Sequence, residues 1–443
     1  MAVELWRYQL SNSSAFEAAV TLSDGHVVVA GWEKSEWDDT EDFKAMKINS
    51  TDGNVLWTWK NGTDEDEELN GAAVGSDGYV VLCGYTKGNW SGSNEGDWDL
   101  AAVKLNEDGQ EVWRLQEGTN GSDYFFAVAV GDDNSAFMTG ILDEDFLLMK
   151  VDSDGNLVWT WVEDIAGGWD GMFSVVYSAE EDAVVLGGST AGTAAGVNAG
   201  NFSAIKISSD EQEIWRWRDG TVKWDAILSI VPTEDSSLIM VGNTAGPFGV
   251  GEAGTQDVVA IKLDVDGTEL WRWQNGSSGS ERIAAAAMDV NGFVMGGSTD
   301  GNWSALNRGE RDFIAVKLDA QDGTNETWRW QDGTEEYEQI RAVTSVSDGL
   351  MILGGYTEGS FARNNTDGSR QGVVILLRTG YSSDPTVGPV SSPVPTPSPA
   401  TSGSTGFLFS TLVIVPLIVI FVIVLVFMRC YRRIRACLGS YCS

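Results

Sequence analysis

Histidine is almost missing from this chain: His26 is the only one in 443 residues. That excludes metal centres built on several histidines, and it leaves a Ser-His-Asp or Cys-His relay only if His26 itself serves. His26 opens the run His26-Val27-Val28-Val29 behind an Asp24-Gly25 turn and reads as an ordinary strand residue. Cysteine is scarce as well. Cys83 alone precedes an apolar segment near the C-terminus, so no disulfide is expected in the large domain; Cys430, Cys437 and Cys442 follow that segment. There are 9 prolines, and Pro385, Pro389, Pro393, Pro395, Pro397 and Pro399 crowd one stretch. Basic residues are few, 28 Lys and Arg against 65 Asp and Glu. Four of them, Arg429, Arg432, Arg433 and Arg435, lie beyond the apolar segment, so residues 1–405 hold 24 bases against 65 acids, a net charge of −41. Such a surface repels nucleic acid and anionic lipid, so we expect no nucleic-acid partner. It suits cations or basic partners, and solubility in a salty medium explains it equally.

What is present begins with the apolar segment. Gly406 to Met428 runs 23 residues without a charge, and at about 1.5 Å per residue it is long enough to cross a bilayer. Pro416 within it is tolerable in a membrane helix. The tail, 429–443, is basic, which predicts a cytoplasmic C-terminus; its Cys430 and Cys437 are candidates for S-palmitoylation or are plain juxtamembrane thiols. No signal peptide is visible at the N-terminus. Ten asparagines nevertheless stand in Asn-x-Ser/Thr: Asn12, Asn49, Asn61, Asn89, Asn120, Asn201, Asn275, Asn302, Asn325 and Asn364. That is roughly three times the chance number. Residues 381–405 are rich in Ser, Thr and Pro, as an O-glycosylated stalk is. We expect a single-pass membrane protein with its large domain outside and N-glycosylated, and a signal peptide upstream of Met1.

The main signal is a repeat. A tryptophan-led strand recurs at Trp6, Trp57, Trp113, Trp159, Trp215, Trp271 and Trp328, 46 to 57 residues apart. Each unit holds four strand-like pieces separated by Asp-Gly or Asn-Gly turns at Asp24, Asp77, Asp154, Asp266, Asn291 and Asp348. No useful helical period appears outside the apolar segment. This predicts an all-β fold: a seven-bladed β-propeller over 1–380, of four-stranded antiparallel blades. The smallest piece, such as Ile283 to Met288, suits the crowded axis, and the Trp-x-Trp piece suits the rim, where blades splay. The last blade should close by pairing Leu5 to Gln9 with Val373 to Leu377.

The pattern D-[FVL]-x-A-[VI]-K-[LI]-x-x-x-G-x-x-x-W-R-W-Q-x-G-T, followed by D-G-x-V-x-x-G-G-x-T, resembles SBBP-type β-propeller repeats. It is more loosely similar to quinoprotein-like propeller repeats. The resemblance implies the fold and leaves function open, since that class hosts enzymes, scaffolds and adhesins.

Several motifs have a structural and a functional reading. Asp152 to Gly155 and Asp264 to Gly267 resemble pieces of calcium loops, but they lack the full ligand set, so plain turns are expected and no cofactor is assigned. Acids follow the first Trp of a repeat at Glu17, Glu67, Asp123, Asp170, Asp225, Glu281 and Glu338. A second series, Asp42, Asp99, Asp145, Asp257 and Asp312, opens the strand that carries Lys47, Lys104, Lys150, Lys206, Lys262 and Lys317. Being repeat-wide, these acids should bind loop amides or pair with the lysines. The loop before the Lys strand is long and variable except at Gly140 to Asp145. It presents Trp32, Trp37, Trp90, Trp98, Phe248, Trp303 and Phe361, the candidate ligand-binding residues on one face of a rigid scaffold. Eight of the ten sequons map to that face. The function expected is therefore a binding or adhesion ectodomain for protein or glycan. A quinoprotein-like or hydrolytic enzyme and a structural cell-surface or wall propeller are the alternatives.

Overall fold

Runs of Val, Ile, Leu and Ala alternate with Gly-bearing turns throughout the repeats, and each run forms a strand of 7 to 10 residues. The computed structural model describes residues 2–379, apart from 36–38, 164–169, 192–199, 249–254 and 324. Trp37, the stalk at 381–405, the apolar segment 406–428 and the tail with Cys430 and Cys437 lie outside the described residues. Among the described residues, no helix is long and apolar enough to cross a membrane.

The strands form seven antiparallel four-stranded sheets. A single strand, β1 (Val3–Gln9), precedes the first complete blade. Blade 1 is β2 (Ser14–Thr21), β3 (Val27–Lys34), β4 (Glu41–Ile48) and β5 (Val55–Asn61). Blade 2 is β6 (Glu67–Val74), β7 (Val80–Thr86), β8 (Asp99–Leu105) and β9 (Glu111–Glu117). Blade 3 is β10 (Tyr124–Val130), β11 (Ala136–Leu142), β12 (Asp145–Val151) and β13 (Leu157–Glu163). Blade 4 is β14 (Asp170–Ser178), β15 (Ala183–Ala191), β16 (Gly200–Ser208) and β17 (Glu213–Asp219). Blade 5 is β18 (Asp225–Pro232), β19 (Leu238–Thr244), β20 (Asp257–Leu263) and β21 (Glu269–Asn275). Blade 6 is β22 (Glu281–Asp289), β23 (Gly292–Thr299), β24 (Asp312–Leu318) and β25 (Glu326–Asp332). Blade 7 is β26 (Glu338–Ser347), β27 (Leu350–Thr357), β28 (Gln371–Arg378) and, from the other end of the chain, β1. Gln9 faces Val373 and Val3 faces Arg378 across the β1–β28 ladder, so the ring closes where the sequence places it.

The small-residue strands β2, β6, β10, β14, β18, β22 and β26 stand innermost and touch one another across neighbouring blades. The Trp strands form the outer edges. Here the repeated Gly-x-x-x-Trp acquires a cause. The indole NH of Trp57, Trp113, Trp159 and Trp215 donates to the carbonyl of Glu107, Ser153, Ser209 and Val265, each in the outer turn of the next blade, at 2.9 to 3.2 Å. The turn glycine lies flat on that indole. Gly267 has φ +80°, and a Cβ there would stand 2.9 Å from the Trp215 ring. Blade 4 puts Glu211 at φ +71° in this turn instead. The Trp328 indole NH has no partner among the described residues, and its next-blade turn is the one replaced by the two ends of the ring.

The lysines pair differently from the expectation. Lys47, Lys104, Lys262 and Lys317 bind Asp24, Asp77, Asp235 and Asp289 at 2.7 to 2.9 Å, not the two acid series. Asp99 opens its strand and Lys104 stands five residues on, roughly 17 Å away at strand rise, beside the opposite turns. His26 lies in the turn just before β3 rather than in the strand, its amide donating to Asp24. Cys83 is buried and unpaired, and burial raises its thiol pKa.

Candidate functional site

The two acid series are scaffold, as their repetition implied, except for Glu17: Ser14 takes the place of Glu67 in blade 1, and Glu17 stands three residues further along β2. Glu67 accepts from the Thr63 amide and hydroxyl, both at 2.7 Å, and from Thr86 Oγ1 at 2.8 Å. Glu338 repeats this with Thr334 and Thr357. Asp99, Asp257 and Asp312 accept from the strand-end glutamines Gln116, Gln274 and Gln331 at 2.8 to 2.9 Å. Asp152 closes a plain turn, accepting from the amides of Asp154 and Asn156.

The loop aromatics do not form the exposed face expected of them. Trp90, Phe248 and Trp303 are 7%, 4% and 8% exposed, and Trp32 is a buried residue of β3. Four share one offset, Thr-x-Gly-x-aromatic: Thr86 to Trp90, Thr244 to Phe248, Thr299 to Trp303 and Thr357 to Phe361. Trp90 packs edge-on against Phe43 of the preceding blade, with ring centroids 4.8 Å apart; Phe248 meets Phe202, and Phe361 meets Phe313, in the same way. Each lies under an arginine of its own blade: Arg114, Arg272, Arg329 and Arg7 stand 3.8 to 4.8 Å from the ring centroids. The strand-end glutamine clamps the loop, as Gln116 Oε1 does by accepting from the amides of Trp90 and Ser91. The repeated Trp-Arg-x-Gln thus holds an aromatic wedge between blades. Of the candidates within the described residues, Trp98 alone stays half-buried at the mouth of the central channel, 5.0 Å from the Tyr85 ring.

That mouth is where the repeats diverge. Every innermost strand carries a β-bulge at the same place: pairing skips between Phe16 and Ala18, Leu69 and Gly71, Phe125 and Ala127, Met172 and Ser174, Ile227 and Ser229, Ile283 and Ala285, and Ile340 and Ala342. The glycine opposite makes room for it; a Cβ on Gly84 or Gly297 would overlap the carbonyl oxygen of Glu68 or Arg282. A bulge re-aims one side chain. Here it turns Glu17, Asn70, Phe126, Phe173, Leu228, Ala284 and Arg341 into the channel, as a ring around a cavity of about 300 Å³.

The ring is sorted by chemistry. Arg341 and Glu17 face each other at 3.1 Å where blades 7 and 1 meet. Beside them the Glu68 carboxyl, which accepts from the Tyr85 hydroxyl, is raised to about 8 by burial first and the charge of Glu17 second. Burial and Asp66 raise Glu41 to about 7. From there an aromatic arc runs along the mouth: Tyr85 to Tyr124 at 4.9 Å, Tyr124 to Phe126 at 6.2 Å, and Phe126 to Phe173 at 5.3 Å. On blades 5 to 7 a second cavity of about 550 Å³ opens beside Arg282, Arg341 and Arg370. At blade 3 the wall is low, because Asp143 and Glu144, both at positive φ, close a two-residue hairpin in place of a long loop.

Sequence reasoning missed this ring. The available signal was a charged, amide or aromatic residue at one offset, as at Glu17, Asn70, Phe126, Phe173 and Arg341, in pieces otherwise made largely of small and aliphatic residues. Among the described residues, no three His, Cys, Asp or Glu stand so as to hold a metal. Of the sequon asparagines, Asn12, Asn89, Asn120, Asn302, Asn325 and Asn364 are exposed, and Asn49, Asn61 and Asn275 are half-buried. Asn201 is buried within β16, which leaves no room for a glycan on its amide.

No family model matches the chain, and no curated protein matches it in sequence. The resemblance to SBBP-type repeats therefore rests on the motif alone. In structure the chain is similar to the WD40 repeats of RRP9, with 12% identity and a TM-score of 0.54 over 85% of this chain and 100% of that one. It is similar to the Neurospora crassa Pan2 WD40 domain, with 8% identity and a TM-score of 0.50 over 86% and 96%. It is also similar to Drosophila Plexin A, seen in complex with Semaphorin 1b, with 9% identity and a TM-score of 0.51 over 85% and 87%. At these identities the likeness is one of fold: the chain is a seven-bladed, all-β propeller of four-stranded antiparallel blades.

Proposed function

We propose that the chain is a membrane-anchored binding module whose propeller, carried outside the cell on the Ser/Thr/Pro stalk and N-glycosylated, takes up a protein or glycan ligand at the channel mouth. One observation carries this reading. The same backbone bulge occurs seven times and presents seven side chains grouped as acid and amide, aromatic, aliphatic and cation. Blade packing requires the bulge but not this sorting. The wedge aromatics, buried at Trp90, Phe248 and Trp303 and half-buried at Phe361, no longer support a ligand role; of the earlier set, among the described residues, only Trp98 borders the mouth. Plexin A, similar in fold, is seen with a protein partner, which agrees with binding as a use of such a scaffold.

The test is a screen of the full-length chain against glycan and protein arrays, followed by the double variant Phe126→Ala/Phe173→Ala. Both rings line the channel mouth, so the variant should fold with near-normal stability and lose its ligand. Undiminished binding by a folded double variant sinks the assignment to the mouth.

A hydrolytic reading has one observation in its favour. Burial and the charge of Glu17 raise Glu68 to about 8, so its carboxyl would hold a proton at neutral pH beside the ring residue Glu17. Turnover of a bound glycan that Glu68→Gln abolishes would establish it.

A further inference from the structure

The domain is strongly acidic, yet three of its arginines converge on one pocket. The cavity of about 550 Å³ between blades 5, 6 and 7 is lined by Arg282, Arg341 and Arg370 and, among the described residues, by no Asp or Glu. Its volume falls within the roughly 300 to 1,000 Å³ of small-ligand sites. Two of the arginines are already paired at their far sides. Arg341 meets Glu17 at 3.1 Å, and Arg370 meets Glu358 at 3.3 Å. Arg282 is not: its Nε donates to the amide oxygen of Gln256 at 3.0 Å, and among the described residues it forms no ion pair. It is also exposed, so its remaining N–H groups are open to a ligand.

The hydrogen-bonding inventory of the pocket is one-sided. The Gln339 side-chain oxygen accepts both the Tyr337 and the Tyr356 hydroxyls at 3.2 Å. The Gln256 oxygen is taken by Arg282, and the Asn243 oxygen by the Ile283 amide at 2.9 Å. Among the described residues the side-chain amide oxygens of the wall are thus engaged, and the acceptors left are the Tyr337 and Tyr356 hydroxyl oxygens, while charged guanidinium donors remain. A peptide brings one N–H per residue and needs acceptors to meet it. A sugar acid brings a carboxylate, which fits a guanidinium fork, and ring oxygens and hydroxyls that accept. The rim adds an apolar platform, Trp224, which is 39% exposed. The wall also holds Tyr337 and Tyr356, stacked at 6.0 Å and capped by Arg311 and Arg370. An indole face offered to solvent beside fixed donors suits the C–H face of a pyranose.

From this juxtaposition we propose that the pocket is a binding site for a carboxylate-bearing saccharide, with Arg282 as its principal anion contact, Arg370 as a second, and Trp224 as the ring platform. The assignment rests on the binding reading above and narrows it to one ligand class and one side of the mouth.

The experiment is calorimetric titration of the full-length chain with four probes: a hexuronic acid trisaccharide, sialyllactose, lactose and an acidic hexapeptide. At least one acidic sugar should bind ten-fold or more tightly than lactose and the peptide. Arg282→Ala and Arg370→Ala, both at exposed positions, should each weaken it ten-fold or more with an unchanged melting temperature, and Arg282→Lys should recover part of the loss. Trp224→Ala should weaken it without altering the preference for acid over lactose. Equal affinity for lactose, preference for the peptide, full binding in Arg282→Ala, or no binding of either acidic sugar each overturns the proposal. The two readings fail separately. A ligand found by array that is lost in Phe126→Ala/Phe173→Ala but kept in Arg282→Ala leaves the binding function standing and removes this site; absence of any mouth ligand removes both.

Discussion

The outer and inner edges of each blade obey opposite rules. At the outer edge the same residues recur in register, and the recurrence has packing causes: indoles that lie toward the next blade, hydrogen-bonded to its turn at Trp57, Trp113, Trp159 and Trp215 and, among the described residues, without that bond at Trp271 and Trp328, a glycine flat against the ring, and a loop aromatic under an arginine. At the inner edge the backbone recurs and the residues do not. One bulge holds Glu17 in blade 1, Phe126 in blade 3 and Arg341 in blade 7. The difference teaches that, in a repeat protein, periodic residues report packing. Function is to be sought where one backbone position is filled differently each time.

The comparison breaks if the outer edge tolerates change or the inner edge does not. The largest effect is expected at the wedge. Trp303→Ala should cost about 3 to 5 kcal/mol in chemical denaturation, because the ring is buried against blade 5 and covered by Arg329. A loss under 1 kcal/mol would return Trp303 to the candidate ligand residues. Gly267→Ala comes next, at about 1 to 3 kcal/mol, since φ is +80° and the new methyl would meet the Trp215 indole.

The third prediction concerns the mouth and is read as pH dependence. Glu68 has a folded pKa of about 8, above its ordinary 4.5. Between those values the folded protein holds a proton that the unfolded chain has released, so stability should fall as pH rises through that window. Glu41, at about 7, acts in the same sense over a narrower range. Thermal melts from pH 4.5 to 8.5 should show this decline, and Glu68→Gln should flatten it. An unchanged slope in the variant would overturn the assignment of this decline to Glu68. The smallest effect is a gain. Glu211→Gly should stabilise by roughly 1 kcal/mol, because Glu211 occupies at φ +71° the outer-turn place where blades 1, 2, 3, 5 and 6 use glycine.

Much of the fold was legible because its causes are local or periodic. Seven Trp strands counted the blades, and the spare strand at Trp6 together with the missing one after Val373 told how the ring closes. The small pieces marked the axis because crowding there admits little else. The candidate site was misread for two physical reasons. The loop aromatics share the Thr-x-Gly-x-aromatic offset, visible in Trp90 and Trp303, and that regularity indicated packing rather than recognition. The bulge leaves no local mark: it appears only when Gly84 is paired with Leu69 and Asn70 is found skipped, which is a matter of register between strands. The pocket at Arg282 is further still from the sequence, since Trp224, Arg282 and Arg370 meet only through three blades.

Ring closure also has a mechanical side. The chain leaves the propeller from β28, and β28 is not an edge strand: it runs between β27 and β1, hydrogen-bonded to both. Tension applied to the chain beyond Thr379 therefore acts along two ladders at once, loading their bonds in shear rather than opening them one by one. The Thr379 hydroxyl donates to Asp289 of blade 6, and its amide donates to the carbonyl of Gly349. A pull on that end is thus spread over two blades. The earliest residues of the chain serve as a clasp on its last strand, and blade 7 should hold under loads that would peel a terminal hairpin.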